Sequence, residues 1–408
     1  MFLCYDNEDT LTENIQRCSG HGWLRKEKQM TVKDGNQISG KTRWTGKTGC
    51  MGKTKRTVKK AGLVCGFMAA ASLLLGGCAM GGATGKKTVQ GISALESEDY
   101  HQAQQLFEEA VKEGEEEVLA YRGLGMAYMG LAEYEKAEEA FEIALEYTDD
   151  RMPENTQDIQ LYLATVQYRE EKYEDTVTTC DGILENTSKG NADAYFLRGA
   201  SYLHEGLQED AAKDFDAAVS LTPTDYDLYL NIYECYNQQN LSGLGGEYLQ
   251  SALNIQGNDM EHSYNRGRIY YYLENYEQAQ SQLIGPVEQK YEPAMYLIGK
   301  VYLAQEDFEH AQAIYQQIQS DFGESAEVYN GLALCAMENG DYDSALTYIT
   351  QGLSLDGTEG KQELYFNEIV AYERKLDFAT AKAKAQEYIQ NYPSDEAGQK
   401  EWVFLSTR

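Results

Sequence analysis

Proline is scarce in this chain, five residues in 408, and tryptophan scarcer still at three. So few helix breakers over that length exclude a Pro-rich architecture and leave long segments free to be helical. Basic residues are also few, 35 Lys and Arg against 66 Asp and Glu, for a formal charge of −31. A field of that sign argues against nucleic acid as a partner and favours a basic protein or peptide, unless it serves only solubility. No run of alternating apolar and polar residues marks a strand, so the expected fold is all-α.

Chemistry-bearing motifs are equally sparse. Gly35-Asn36-Gln37-Ile38-Ser39-Gly40-Lys41-Thr42 has the spacing of a phosphate-binding loop. That loop works only after a buried strand and before a helix, and Arg25 to Lys33 is largely charged or polar, so the match is accidental. His101, His204, His262 and His310 are scattered without a paired spacing, and neither a Gly-x-Ser-x-Gly elbow nor a His-Glu-x-x-His pair occurs downstream of residue 77. No enzymatic activity, cofactor or metal is expected. Cys180, Cys235 and Cys335 lie too far apart in sequence to form a zinc site and read as buried small apolar residues.

What the chain does have is a small residue about every 34 positions: Ala103, Ala137, Thr176, Ala211, Gly245, Ala279, Ala311, Ala345 and Ala381. An aromatic stands three positions earlier in most copies, as in Tyr100, Tyr134, Tyr276 and Phe308, and a mostly large apolar residue four later, as in Phe107, Phe141, Phe215 and Leu283. Those spacings put the three side chains on one face of a helix. Upstream lies a second helical segment with Gly followed three residues later by Tyr, as in Gly125 and Tyr128, Gly199 and Tyr202, Gly267 and Tyr270, Gly299 and Tyr302. Short polar turns such as 130–133 and 338–341 join the two, which suits antiparallel neighbours.

These residues resemble the tetratricopeptide repeat over about 88–393. The resemblance implies a right-handed α-solenoid of about nine helix-turn-helix units. The fifth copy departs from the pattern with Tyr233 and Gly245, and the sixth places Pro286 where Ala is usual, so local distortion is expected there. Ser394 to Leu405, with Ser394 as N-cap and Trp402, Val403 and Phe404 as its apolar face, is expected to form a capping helix within 394–408.

The beginning of the chain carries a different signal. Lys53 to Lys60 is basic, Ala61 to Leu75 is apolar, and Leu75-Gly76-Gly77-Cys78 follows. Fifteen apolar residues are too few for a spanning helix but suit a secretory leader. The ending resembles a bacterial lipobox, which implies cleavage of 51–77, lipidation of Cys78, a flexible tether over 78–87 and an exported protein anchored to the membrane or envelope. Residues 1–50, ahead of such a leader, read as an upstream extension from a misassigned start, or a disordered one. Loss of residues 1–77 would take the formal charge to about −38.

Asp158, Asp193, Asp227, Glu261, Glu327 and Glu363 open the first helices; they read as helix N-terminus stabilisers, with an acidic stripe for a basic ligand as the alternative. The repeat resemblance further implies a ligand-binding groove on the first helices, at Arg122, Met126 and Met129; Leu161, Tyr168 and Arg169; Phe196, Leu203 and His204; and Tyr264, Arg268, Tyr271, Tyr272, Tyr296 and Lys300. Tyr and Arg are the types enriched at binding hot spots, which draws attention to the last group. The expected function is a membrane-anchored scaffold that binds protein or peptide partners at the cell envelope. The alternative is a surface receptor for a peptide or glycan.

Overall fold

The computed structural model describes residues 85–407 apart from 150, 358, 359 and 394. Cys78, the leader, residues 1–50 and the phosphate-loop match lie outside the described residues. Among those described, nineteen helices and no strand occur. They fall into two compact units divided after Tyr248.

The first unit holds α1 (Lys86–Glu96), α2 (Tyr100–Glu113), α3 (Glu117–Gly130), α4 (Tyr134–Glu146), α5 (Pro153–Arg169), α6 (Tyr173–Glu185), α7 (Ala192–His204), α8 (Gln208–Leu221), α9 (Tyr226–Gln238) and most of α10 (Ser242–Ala252). The second holds α11 (Met260–Tyr272), α12 (Tyr276–Glu288), α13 (Glu292–Ala304), α14 (Phe308–Phe322), α15 (Ala326–Glu338), α16 (Tyr342–Leu353), α17 (Lys361–Arg374), α18 (Phe378–Asn391) and α19 (Glu396–Ser406). Odd-numbered helices up to α17 are the first, and even-numbered helices the second, of nine pairs.

The periodic small residues are what let each pair close. Ala103, Ala137, Ala211, Ala279, Ala311, Ala345 and Ala381 are wholly buried. The large residue four later fills the space against the first helix of its own pair: a Cβ at Gly125 would meet the Phe141 ring, one at Gly199 the Phe215 ring, one at Gly267 the Leu283 side chain. A buried Phe of this kind contributes about 1.5–3 kcal/mol. Apolar clusters are local, such as Met129, Phe141, Ile159 and Val166 in the first unit and Met295, Tyr315, Val328 and Leu332 in the second. Each cluster spans adjacent pairs, as expected where every repeat leans on its neighbours.

The turn inside each pair is the same nine times. Two residues before every second helix the backbone is left-handed: Glu98, Ala132, Glu171, Gly206, Asn240, Glu274, Glu306, Gly340 and Leu376. Glycine adopts that conformation freely, yet only Gly206 and Gly340 are glycine. The next residue caps the helix in most copies, the Asp99, Asn275, Asp307, Asp341 and Asp377 side chains each accepting a backbone N–H. Part of the acidic excess is therefore structural, each cap contributing about 1 kcal/mol.

Several expectations are corrected. The tether does not reach residue 87: α1 starts at Lys86, because Glu115 accepts from the Lys87 and Thr88 N–H groups and closes the helix start. Helix α12 runs through Pro286 without a break. The proline lies in its last turn, and Gly285 before it has no Cβ to clash with the ring. The cap of α19 is Asp395, which accepts from Ala397 and Gly398 and from the Tyr388 hydroxyl at 2.6 Å; Ser394 lies outside the described residues. The apolar face of α19 is turned differently as well. Ala397, Gly398 and Leu405 are buried, whereas Val403 is 60% and Phe404 42% exposed.

The three cysteines in the described region are free and buried. Burial pushes the Cys180 and Cys335 thiols up to about 12, which makes them inert.

Candidate functional site on the first helices

Within each unit, consecutive first helices pack beside one another, and polar side chains tie several of them to the next. In the first unit the Arg122 Nε on α3 donates to Asp158 on α5 at 2.5 Å, with the guanidinium 5.3 Å from the Tyr162 ring centre. Burial raises the Tyr162 hydroxyl to about 12, Arg122 opposing the shift and Asp158 adding to it. Farther along, the His204 ring on α7 stacks on Tyr173 at 4.4 Å. Its Nε2 is 3.1 Å from the Tyr168 hydroxyl on α5, and its Nδ1 is 3.3 Å from the Gln239 amide nitrogen at the end of α9. With that amide donating to Nδ1, the ring proton sits on Nε2 and goes to the Tyr168 oxygen, so the neutral imidazole satisfies both neighbours. Burial holds the His204 pKa below its ordinary value, opposed by Glu171.

The other groove residues proposed for the first unit divide by burial. Arg169 lies 5.9 Å from the Tyr134 ring, and Met126 is half-buried. Met129, Leu161, Tyr168, Phe196 and Leu203 belong to the core, Phe196 being only 4% exposed and 6.0 Å from the Phe215 ring. Phe196 and Tyr168, both named for the groove, are thus largely taken up in packing. The same helical face that points toward the groove at one position meets the neighbouring helix a turn away.

The second unit presents its candidates more openly. On α11, Tyr264, Arg268, Tyr271 and Tyr272 are half-buried. Arg268 lies 5.7 Å from the Tyr264 ring and donates to Asn265 at 3.0 Å, and Tyr264 meets Tyr291 edge-on at 5.2 Å. On α13, the half-buried Tyr296 shares a hydroxyl contact of 3.0 Å with Ser325, and Lys300 lies 3.5 Å from Glu327 on α15. The Tyr264 and Arg268 pair on α11 recurs as Tyr296 and Lys300 on α13, with the same spacing of four.

The sequence reading missed two further links on this face. Asn367 on α17 donates to Asn330 on α15 at 2.7 Å, and Arg374 donates to Glu338 at 2.7 Å. Their separations of 37 and 36 residues are close to the repeat, a signal that could have identified them. The helix-opening acids also acquire a role not weighed beforehand, because Asp158 and Glu327 each answer a cation on the preceding first helix.

No group of three or more His, Cys, Asp or Glu residues arranged to hold a metal occurs among the described residues. Nor is any described helix long and apolar enough to cross a membrane.

Antiparallel helix pairs repeated at one spacing, joined by one turn and leaning on their neighbours, define a helical-repeat protein. The tetratricopeptide repeat profile matches residues 88–151, 124–191, 163–226 and 296–359, so the chain carries tetratricopeptide repeats. The matches pass over 227–295, the stretch containing Tyr233, Gly245 and Pro286. The chain is similar to the BBSome complex member BBS4 of Bos taurus, 22% identical over 226 residues, 55% of this chain and 44% of that protein, so it spans less than half of that relative. It is also similar to the crystal structure of a tetratricopeptide repeat protein from Parabacteroides merdae, at 12% identity and a TM-score of 0.43, covering 62% of this chain and 98% of that one. Another likeness is to YrrB, described as having an unusual peptide-binding site, at 20% identity and a TM-score of 0.34, over 44% of this chain and 90% of that one.

Proposed function

We propose that this protein is a scaffold anchored through a lipid on Cys78, holding protein or peptide partners at a bacterial envelope with the first-helix face of its repeats. The observation that carries the reading is the repeated pair of tyrosine and cation, Tyr264 with Arg268 and Tyr296 with Lys300, presented by consecutive first helices. Tyrosine supplies rigid contact area and a hydroxyl, and a cation beside it fixes a carboxylate or a backbone carbonyl. The acidic field over the rest of the chain supports a partner with basic character. Anchoring is supported by the basic flank, the apolar run and the Leu-Gly-Gly-Cys ending of the leader.

Affinity capture from detergent-solubilised cells tests the binding half of this reading. The parent chain is expected to retain a partner that a Tyr264→Ala, Arg268→Ala, Tyr271→Ala triple variant of equal melting temperature loses. Equal retention by both would remove the face from consideration. Fractionation tests the anchor: Cys78→Ser is expected to release the protein from membranes, and unchanged membrane association would overturn it.

A further inference from the structure

The turn between α5 and α6 brings a second carboxylate against α4. Glu138 in the middle of α4 and Glu170 at the end of α5 are 15% and 11% exposed, within hydrogen-bond reach of each other, and the Lys172 ammonium lies between them. That ammonium donates to Glu138 Oε2 at 2.5 Å. It is 3.2 Å from Glu170 Oε2, yet that oxygen is shielded from solvent and finds no donor in hydrogen-bond geometry among the described residues. Two carboxylates share one cation, and it serves one of them.

The neutral neighbours do not make up the difference. Gln167 on α5 is buried, and its Oε1 accepts from the Thr179 hydroxyl on α6 at 2.8 Å, which turns its Nε2 to Glu138 Oε1 at 3.2 Å. The donors on hand thus go to Glu138, and Glu170 keeps the weaker contact. Of the charged groups around the pair, Glu142 lies one turn along α4 and adds negative charge, Arg169 lies 5.9 Å from the Tyr134 ring, and the Glu171 charge acts on His204.

Arg198 is the contrasting case, in which one cation satisfies two carboxylates. Its Nε and Nη2 donate to Asp214 on α8 at 2.7 and 2.8 Å, and its Nη1 to Asp181 on α6 at 2.5 Å. A guanidinium fork can do this, whereas an ammonium is a point charge. A carboxylate that is both shielded from water and poorly met holds a proton more firmly, because burial penalises its charged form. Burial, opposed by Lys172 and reinforced by Glu138, accordingly raises the Glu170 pKa above its ordinary value. At Glu138 burial acts the same way, but the hydrogen bonds from Lys172 and Gln167 overcome it and the pKa is lowered.

We propose that Glu138 and Glu170 form a proton-binding site at the junction of the second and third helix pairs. The proton is carried on the Glu170 carboxyl and donated to Glu138, so that Glu138, Glu170 and Lys172 together are neutral and α4 is drawn onto the turn between α5 and α6. Loss of the proton leaves two carboxylates beside one ammonium, a net negative charge at a largely buried position, and loosens the junction. Because the folded pKa of Glu170 lies above the unfolded one, the stabilisation is full below the ordinary glutamate value of about 4.3 and is lost as pH rises through the folded value. The junction therefore tightens as its surroundings acidify, independently of the partner-binding face and of the anchor.

The carboxyl carbon signals of the full chain, labelled with carbon-13 glutamate and followed by NMR as the pH is lowered, test the proposal, the Glu170 signal being the one lost in Glu170→Gln. Glu170 is expected to titrate above about 4.3, and Glu138→Gln, which removes the acceptor and its charge, is expected to lower that midpoint. Thermal melting gives a second readout. Glu170→Gln, whose amide donates to Glu138 without a bound proton, is expected to melt above the parent at about pH 7.5, with the gap closing toward about pH 4.3. Glu139→Gln on the exposed side of α4 is expected to track the parent. A Glu170 midpoint at or below the ordinary value, a midpoint that Glu138→Gln leaves unchanged, or Glu170→Gln melting below the parent near neutral pH would each overturn the proposal.

Discussion

The two units use one set of repeat positions in two ways. In the first, polar residues on the first-helix face are drawn into the packing: Arg122 and Asp158 are 29% and 20% exposed, and Tyr168, His204 and Gln239 bridge three consecutive first helices. In the second, Lys300 and Glu327 are 48% and 45% exposed and 3.5 Å apart, and the tyrosines beside them are half-buried. A position in the repeat fixes which way a side chain points, but its length and its neighbours decide whether it ties repeats together or is offered to a partner. The first unit uses this face for cohesion, and so do α15 and α17 of the second, where Arg374 and Glu338 are 29% and 19% exposed; α11 and α13 differ in leaving their tyrosine and cation pairs partly open.

Removal of the packing that both units share gives the largest expected effect. Phe141→Ala in the first unit and Leu283→Ala in the second are each expected to cost about 2–5 kcal/mol in chemical denaturation. A cost confined to one unit would show that the pairs do not close by a common mechanism. Arg122→Ala follows, at about 1.5–3 kcal/mol, because Asp158 is left half-buried without its charged donor. Leu376→Gly is expected to raise stability by about 0.5–1 kcal/mol by relieving the left-handed turn, readable as a higher melting temperature. Lys300→Ala, removing an exposed pair, is expected to change stability by less than about 0.5 kcal/mol. Equal losses from Arg122→Ala and Lys300→Ala would erase the contrast between the units.

His204 sharpens the contrast through pH. Its folded pKa is depressed, so as pH falls through the ordinary histidine range near 6.5 the unfolded chain takes up a proton before the folded chain does. Its contribution to stability is therefore full above that range and falls as the pH drops toward the folded pKa. His204→Gln is expected to flatten this part of the stability profile between about pH 7.5 and 5.5. An identical slope in the variant would assign the pH dependence to other groups.

The nine small residues located nine helix pairs because a residue that must vanish into an interface leaves a periodic mark. The turn residues left no such mark. Glu98, Glu171 and Leu376 have no preference for left-handed backbone, which the closure of the two helices imposes on them. The face was partly legible: Arg122, Tyr264 and Lys300 lie on first helices with part of each side chain accessible, whereas the Phe196 ring is buried near Phe215 on the second helix of its own pair. In α19, Trp402, Val403 and Phe404 read as one apolar face, whereas the helical turn separates them: Trp402 and Leu405 pack against the core, and Val403 and Phe404 are exposed.

Hydrogen exchange of the chain with and without a captured partner tests the central claim most directly. Binding on the first-helix face predicts slowed exchange in α11 and α13, at 260–272 and 292–304, with the second helices α12 and α14 unchanged. Protection confined to α12 and α14, or absent from both first helices, would contradict it.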